Sequence, residues 1–98
     1  MIVAGDVHLS DLNDEERRRV LVVSNRRFHD ASRRALVAPE LFGEPDAVAF
    51  PWRVEVNGVV FALDLLRSLP IERLLDRVDR ASASAMAAVE RTLTNITR

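Results

Sequence analysis

The dipeptide Asn57-Gly58 lies between two β-favouring runs, Trp52 to Val56 and Val59 to Phe61. Both residues tolerate the positive φ of a type I′ turn, whose twist matches that of two antiparallel strands, so the pattern predicts a two-residue hairpin. Trp52, Val54 and Val56 alternate with Arg53 and Glu55, giving the first hairpin strand one apolar and one polar face. On this alternation Trp52 is expected in the core beside the two valines, ahead of its other use as a stacking platform for an unpaired base.

Short elements of the same kind fill the rest of the chain. Val3 to Leu12 reads as a first strand and Asn13 to Arg19 as a charged loop. Val20-Leu21-Val22-Val23 is unbroken apolar sequence, the mark of a strand covered on both faces and therefore central. Ser24 or Asn25 is a cap for one helical turn over Arg26 to Ser32, followed by a strand from Ala35 to Ala38 that Pro39 ends. Gly43, Pro45 and Asp46 mark a loop. Leu63 to Leu69 is a further apolar run, Pro70 opens a helical turn through Glu72 and Arg73, and Leu74 to Val78 is another strand. Met86, Val89, Leu93 and Ile96 recur at three and four residues, which predicts a C-terminal helix capped by Ser82 or Ser84. Five or six short strands and a closing helix define a mainly β chain, expected as a small, partly open barrel with the helix packed on it.

A chain of 98 residues has room for one domain, taken as residues 1–98, and its modest core makes burial against a second copy a natural gain. No cysteine is present, so disulfides and thiolate metal sites are excluded and a reducing cytoplasm is the expected location. The opening residues lack the basic lead and long apolar run of a signal peptide, and no apolar run is long enough for a membrane helix. All fourteen basic residues are arginine, against fifteen acids. An arginine-only set suits bidentate contact with phosphate and also follows from biased codon usage, while the balanced charge confines any nucleic-acid site to a local patch.

Several side chains are candidates on their own chemistry. Phe28, beside Arg26 and Arg27, is suited to stack on an unpaired base. His29 and His8 carry the groups that titrate nearest neutrality and so suit proton relay, although a lone histidine is more often structural. Arg17, Arg18 and Arg19 follow Asp14, Glu15 and Glu16, which reads equally as a solvated charge run. No acid or histidine cluster has metal-ligand spacing and no glycine-rich phosphate loop occurs, so no cofactor is expected.

Four segments, in order, resemble the MazF/PemK toxins. Gly5-Asp6-Val7-His8-Leu9-Ser10-Asp11-Leu12 is similar to that family's first strand, and Arg18-Arg19-Val20-Leu21-Val22-Val23-Ser24-Asn25 to its Arg-Pro, β-branched run and polar pair. Asp64-Leu65-Leu66-Arg67-Ser68-Leu69 with Arg73-Leu74 is similar to a third segment, and Arg77-Val78 with the Met86 and Val89 helix to the closing strand and helix. Arg19 occupies the position of the motif's proline, and Leu41 falls where the family places a serine or threonine. The resemblance implies an SH3-like barrel of the MazF/CcdB kind, homodimeric, inhibited by a MazE-like antitoxin. It implies sequence-selective, metal-independent cleavage of single-stranded RNA. Arg18 is then the catalytic candidate, Arg17, Asn25, Arg26, Phe28, Arg67 and Ser68 the RNA contacts, and His29 and Glu16 the proton-relay candidates, Glu15 being an equivalent base. Leu41 favours a rival reading: a non-catalytic toxin that binds a topoisomerase or other protein target, as CcdB toxins do.

Overall fold

A computed structural model describes residues 1–11, 18–41 and 52–97. In chain order the elements are strand β1 (Asp6–Ser10), β2 (Arg18–Val22), helix α1 (Arg26–Ser32), β3 (Arg34–Pro39), β4 (Arg53–Val56), β5 (Val59–Ala62), β6 (Arg67–Pro70), β7 (Leu74–Arg80) and helix α2 (Ala83–Thr97). Single 3-10 turns, Leu63–Leu65 and Ile71–Arg73, lead into β6 and β7. Among the described residues, five strands form an open antiparallel sheet in the order β6-β3-β2-β1-β7, with β4 and β5 in a separate hairpin. The chain is thus mainly β with a closing helix, as its sequence pattern implies.

Local chemistry sets most boundaries. Asn57 and Gly58 have φ of 50° and 86°, the left-handed pair that a type I′ turn requires. Asn25 caps α1 by accepting the Phe28 N–H at 3.0 Å, and Arg33 ends it at φ 56°. Ser82 caps α2 through the Ala85 N–H at 3.1 Å. β1 starts later than its apolar pattern suggests, because Gly5 at φ 95° makes a turn in which Asp6 bonds back to Val3 through backbone and carboxylate. Leu63 to Leu69 divides in two: Leu63 is buried in the 3-10 turn, Leu65 and Leu66 are exposed, and pairing resumes at Arg67.

β2 feeds two cores. Leu21 packs with Val7, Ala38, Val54, Val56, Phe61, Leu63 and Val89 between the sheet, the hairpin and α2. Val20 and Val22 pack on the other face with Ala35, Val37, Leu69 and Leu74. The unbroken apolar run is therefore needed, since alternate residues meet different cores. Trp52 does not join Val54 and Val56 in the core: it stands at the open end of the hairpin, its carbonyl accepting the Leu63 N–H at 2.9 Å, and is 38% exposed. Ile96 likewise leaves the buried stripe at the last turn of α2. The expected loop at Gly43, Pro45 and Asp46 lies outside the described residues, as do Leu12 and the acidic run before Arg18.

Phe61 is fully buried where the hairpin meets the sheet. Phe61→Ala is expected to lower unfolding free energy by about 3–5 kcal/mol in urea titration, because a ring-sized void there has neighbours on three elements. At the hairpin tip, the Asn57 carboxamide donates to both Asp79 oxygens at 2.9 Å. That bond, then the Arg80 N–H, holds the exposed Asp79 carboxyl below its ordinary value. A depressed carboxyl stabilises the fold above its unfolded-state value and ceases to do so as pH falls through its folded one. Asn57→Gly keeps the turn but removes the donor, so the Asp79 side-chain carbon resonance should titrate at higher pH across about pH 2 to 6.

Candidate active site

The candidate residues divide between the two ends of the sheet. Arg18 opens β2, and Ser10 lies opposite it in register and donates its hydroxyl to the Arg18 carbonyl at 3.1 Å. Val20 pairs with Pro39, Val22 with Val37, and Val37 in turn with Arg67. Alternation along β2 and β3 therefore puts Arg18 and Arg67 on one face, with Arg67 level with Val22, at the other end of β2 from Arg18. The β1 exit at the Arg18 end is fastened by the Asp11 N–H donating to the Arg73 carbonyl at 3.0 Å and Arg73 Nη1 donating to the Asp11 carbonyl at 3.3 Å. Leu41, whose N–H donates to the Val60 carbonyl at 2.9 Å, begins the crossing from β3 to the hairpin at this same end.

Ser68 faces away from Arg67 and is engaged: its hydroxyl accepts Arg34 Nε at 2.7 Å and its carbonyl accepts Arg34 Nη2 at 2.8 Å. Asn25, Arg26, Phe28 and His29 belong to α1 and its cap, reached where β2 ends. Seven residues of largely extended chain separate Arg18 from Asn25, on the order of 20 Å at about 3.3 Å per residue. Arg26 is exposed, 3.8 Å from Asp30, and Phe28 walls a cleft of about 400 Å³ with Val23, Leu36, Met86 and Leu93. Arg17, Glu15 and Glu16 lie outside the described residues.

His29 is buried, with both ring nitrogens bonded: Nδ1 to the Ile2 carbonyl at 3.0 Å and Nε2 to the Ser24 hydroxyl at 2.6 Å. A carbonyl only accepts, so Nδ1 carries the proton, and Nε2 accepts from a hydroxyl that itself accepts the Leu36 N–H at 2.9 Å. Every member of that chain is satisfied, and it ties the N-terminal segment to α1 and β3.

Sequence spacing alone does not single out two charged groups that the fold buries. The buried Asp6 carboxylate accepts Arg80 Nε at 3.0 Å and the Val3 N–H at 3.1 Å, with Arg77 Nη1 3.9 Å away. His8 stands beside it, Nδ1 donating to the Leu75 carbonyl at 2.8 Å and Nε2 at 3.9 Å from Asp6, without a hydrogen-bond partner among the described residues. The second is Glu40, 7% exposed, whose carboxylate meets Arg19. A glutamate directly after a strand of buried residues is the one available signal, since an acid is rarely buried without a partner. Among the described residues no three of His, Asp and Glu cluster so as to hold a metal ion, and no helix is long and apolar enough to cross a membrane.

The described residues thus form an open five-stranded antiparallel sheet with a separate hairpin and a C-terminal helix, the architecture of a small, partly open barrel. The chain belongs to the PemK-like, MazF-like toxins of type II toxin–antitoxin systems, whose family pattern matches residues 4–97. Among solved structures it is similar to an endoribonuclease in complex with its cognate antitoxin from a mycobacterial species, at 16% identity and TM-score 0.83, covering 97% of this chain and 93% of that one. It is also similar to a MazE–MazF complex from Deinococcus radiodurans, at 25% identity and TM-score 0.75, covering 97% and 94%. The Mycobacterium tuberculosis toxin MazF-mt6 is 16% identical with a TM-score of 0.69, covering 92% and 93%. No curated protein sequence matches.

The bonding of His29 gives a direct expectation. His29→Ala leaves the Ile2 carbonyl and the Ser24 hydroxyl proton without partners and should cost about 1–3 kcal/mol of stability in thermal or urea unfolding. RNA cutting per folded molecule should stay within about twofold, because the ring has both nitrogens engaged and lies on the order of 20 Å along the chain from Arg18. A loss of cutting with unchanged stability would instead assign the ring to proton transfer.

Proposed function

We propose that the chain is a metal-independent endoribonuclease acting on single-stranded RNA with sequence selectivity, the toxin half of a pair held inactive by a MazE-like antitoxin. The observation that carries this reading is Arg18 at the mouth of β2, on the face of the sheet that also carries Arg67, in the motif position by which the chain resembles its family. The similar structures from mycobacteria and from Deinococcus radiodurans, an endoribonuclease with its antitoxin and a MazE–MazF complex, support both the activity and the partner. A homodimer working in the cytoplasm completes the reading. The topoisomerase-binding alternative gains no support, since the matches are to MazF-type toxins.

In this reaction the ribose 2′-oxygen attacks the adjacent phosphorus, the 5′-oxygen leaves, and the products end in a 2′,3′-cyclic phosphate and a 5′-hydroxyl. Negative charge accumulates on the non-bridging oxygens of the phosphorane, and a planar guanidinium at Arg18 donates two parallel hydrogen bonds to them. Arg67, on the same face and level with Val22, holds a phosphate further along the RNA and so fixes register rather than chemistry. Leu41 brings no hydroxyl to the Arg18 end of the sheet, so charge stabilisation falls more heavily on that arginine. Proton acceptance is assigned to Glu16, the acid two residues before Arg18, in preference to His29 with its nitrogens engaged at the far end.

Purified chain and Arg18→Ala, incubated with mixed-sequence RNA in EDTA, should differ by about 10²–10³-fold in cutting rate, the usual loss on removing a charge-stabilising donor. Mass spectrometry should find 2′,3′-cyclic phosphate ends with the unaltered chain. Equal cutting by both proteins would remove Arg18 from the mechanism, and no cutting by either would return the topoisomerase-binding reading.

A further inference from the structure

Resting on the nuclease reading, we infer that Glu40 is a positioning residue for Arg18: its buried carboxylate stands in for a missing strand–strand bond and holds the mouth of β2. The regular β2–β3 pairing, Val22 with Val37 through Val20 with Pro39, would continue to Arg19 with Glu40. In such a pair each residue donates its N–H to the other's carbonyl. One half is present, the Glu40 N–H donating to the Arg19 carbonyl at 3.1 Å. The other is replaced, the Arg19 N–H donating to Glu40 Oε1 at 3.2 Å.

The replacement follows from where β3 goes next. Glu40 also forms a bridge with Phe61, and the Leu41 N–H donates to the Val60 carbonyl at 2.9 Å, so the chain is leaving β2 to join the hairpin. A strand that changes sheets turns its backbone groups away from its old neighbour, and an N–H left there without an acceptor would let the end of β2 fray. Glu40 is long enough to reach back. Its second oxygen lies 3.4 Å from Arg19 Nη1, which draws that guanidinium to its own face of the sheet. Arg19 is thus gripped at its N–H, its carbonyl and its side chain by one residue. Arg18 precedes it by one position and projects from the opposite face, so fixing Arg19 fixes the direction in which Arg18 leaves the strand. The motif that this segment resembles has proline at the Arg19 position, which has no N–H to satisfy; arginine there creates a donor, and Glu40 supplies its acceptor.

The test uses full-length chain and a labelled RNA oligonucleotide. Glu40→Leu keeps the volume but removes the acceptor, and kcat should fall about 10- to 100-fold with KM within about twofold, the signature of a misdirected catalytic group rather than lost binding. Glu40→Gln retains an oxygen for the N–H and should keep kcat within about threefold of the unaltered chain. Adding Arg19→Pro to Glu40→Leu removes the orphaned donor and should restore most of the lost rate, since that N–H is used for nothing else. Unaltered kcat in Glu40→Leu, or a loss that the proline leaves in place, overturns the inference. Amide exchange at Arg19 and the Arg18 Nε–H resonance, followed by NMR in the same proteins, read the positioning without reference to activity. Glu40→Leu should speed exchange at Arg19 and average the Arg18 signal, and no change in either overturns the inference even if RNA is not the substrate. A chain that cuts no RNA while these NMR changes occur sinks the nuclease reading alone.

Discussion

Strand β2 has to satisfy two hydrophobic cores at once, and much of the molecule is arranged around that demand. Leu21 enters the core under the hairpin and α2, while Val20 and Val22 enter the core on the far side of the sheet. A strand so placed has no solvent face on which to carry polar chemistry, because a polar side chain in either core would need a buried partner. Polar side chains are thereby confined to the two ends of β2, where the cores stop. Arg18 takes one end and the Ser24-Asn25 pair, with α1 beyond it, takes the other.

These ends are built differently. At the far end, Ser24, His29, Leu36 and the Ile2 carbonyl form a closed chain of hydrogen bonds in which each donor has an acceptor, so the region reads as structural glue holding the N-terminal segment down. Arg26 and Phe28 project from it exposed, beside a cleft lined by α2 residues. At the Arg18 end several strands change partners: β3 crosses to the hairpin, and β1 is tied to the turn before β7. Backbone groups at such crossings cannot all be met by a regular ladder, so side chains complete the bonding. An RNA strand touching Arg18, Arg67 and the α1 residues together would have to run much of the length of the sheet, a geometry that suits an extended single strand better than a compact ligand.

Features fixed by neighbours in sequence were legible. The Asn57-Gly58 turn, the Asn25 and Ser82 caps, the alternation of Val54 with Val56 and the double burial of Val20 to Val22 all follow from local conformational preference or periodicity. Trp52 departs from its expected place because alternation says which way a residue points but not how far the covering elements reach, and it stands at the open end of the hairpin beside the last turn of α2, where Ile96 is exposed as well. The division of the candidate residues was invisible for a related reason. Arg18 and Asn25 are close in sequence yet lie at opposite ends of an extended strand, while Arg67 joins the Arg18 face only through two successive antiparallel registers. Asp6 and Glu40 depend on partners far along the chain, at Arg80 and Arg19, so spacing gave no hint of their burial.

Glu40 and Arg19 together explain how one arginine survives beside another. Two adjacent guanidiniums at a strand entrance repel, and either could in principle turn toward a bound phosphate. Strand alternation puts them on opposite faces, and the carboxylate holds Arg19 on the side of the sheet away from Val20. The exposed half of that ion pair adds little stability by itself, and the larger part of the effect comes from the backbone bond at Arg19. The acid therefore acts less as a charge partner than as a surrogate peptide carbonyl, and its burial under the hairpin makes the mouth of β2 depend on the packing of Phe61 against the sheet.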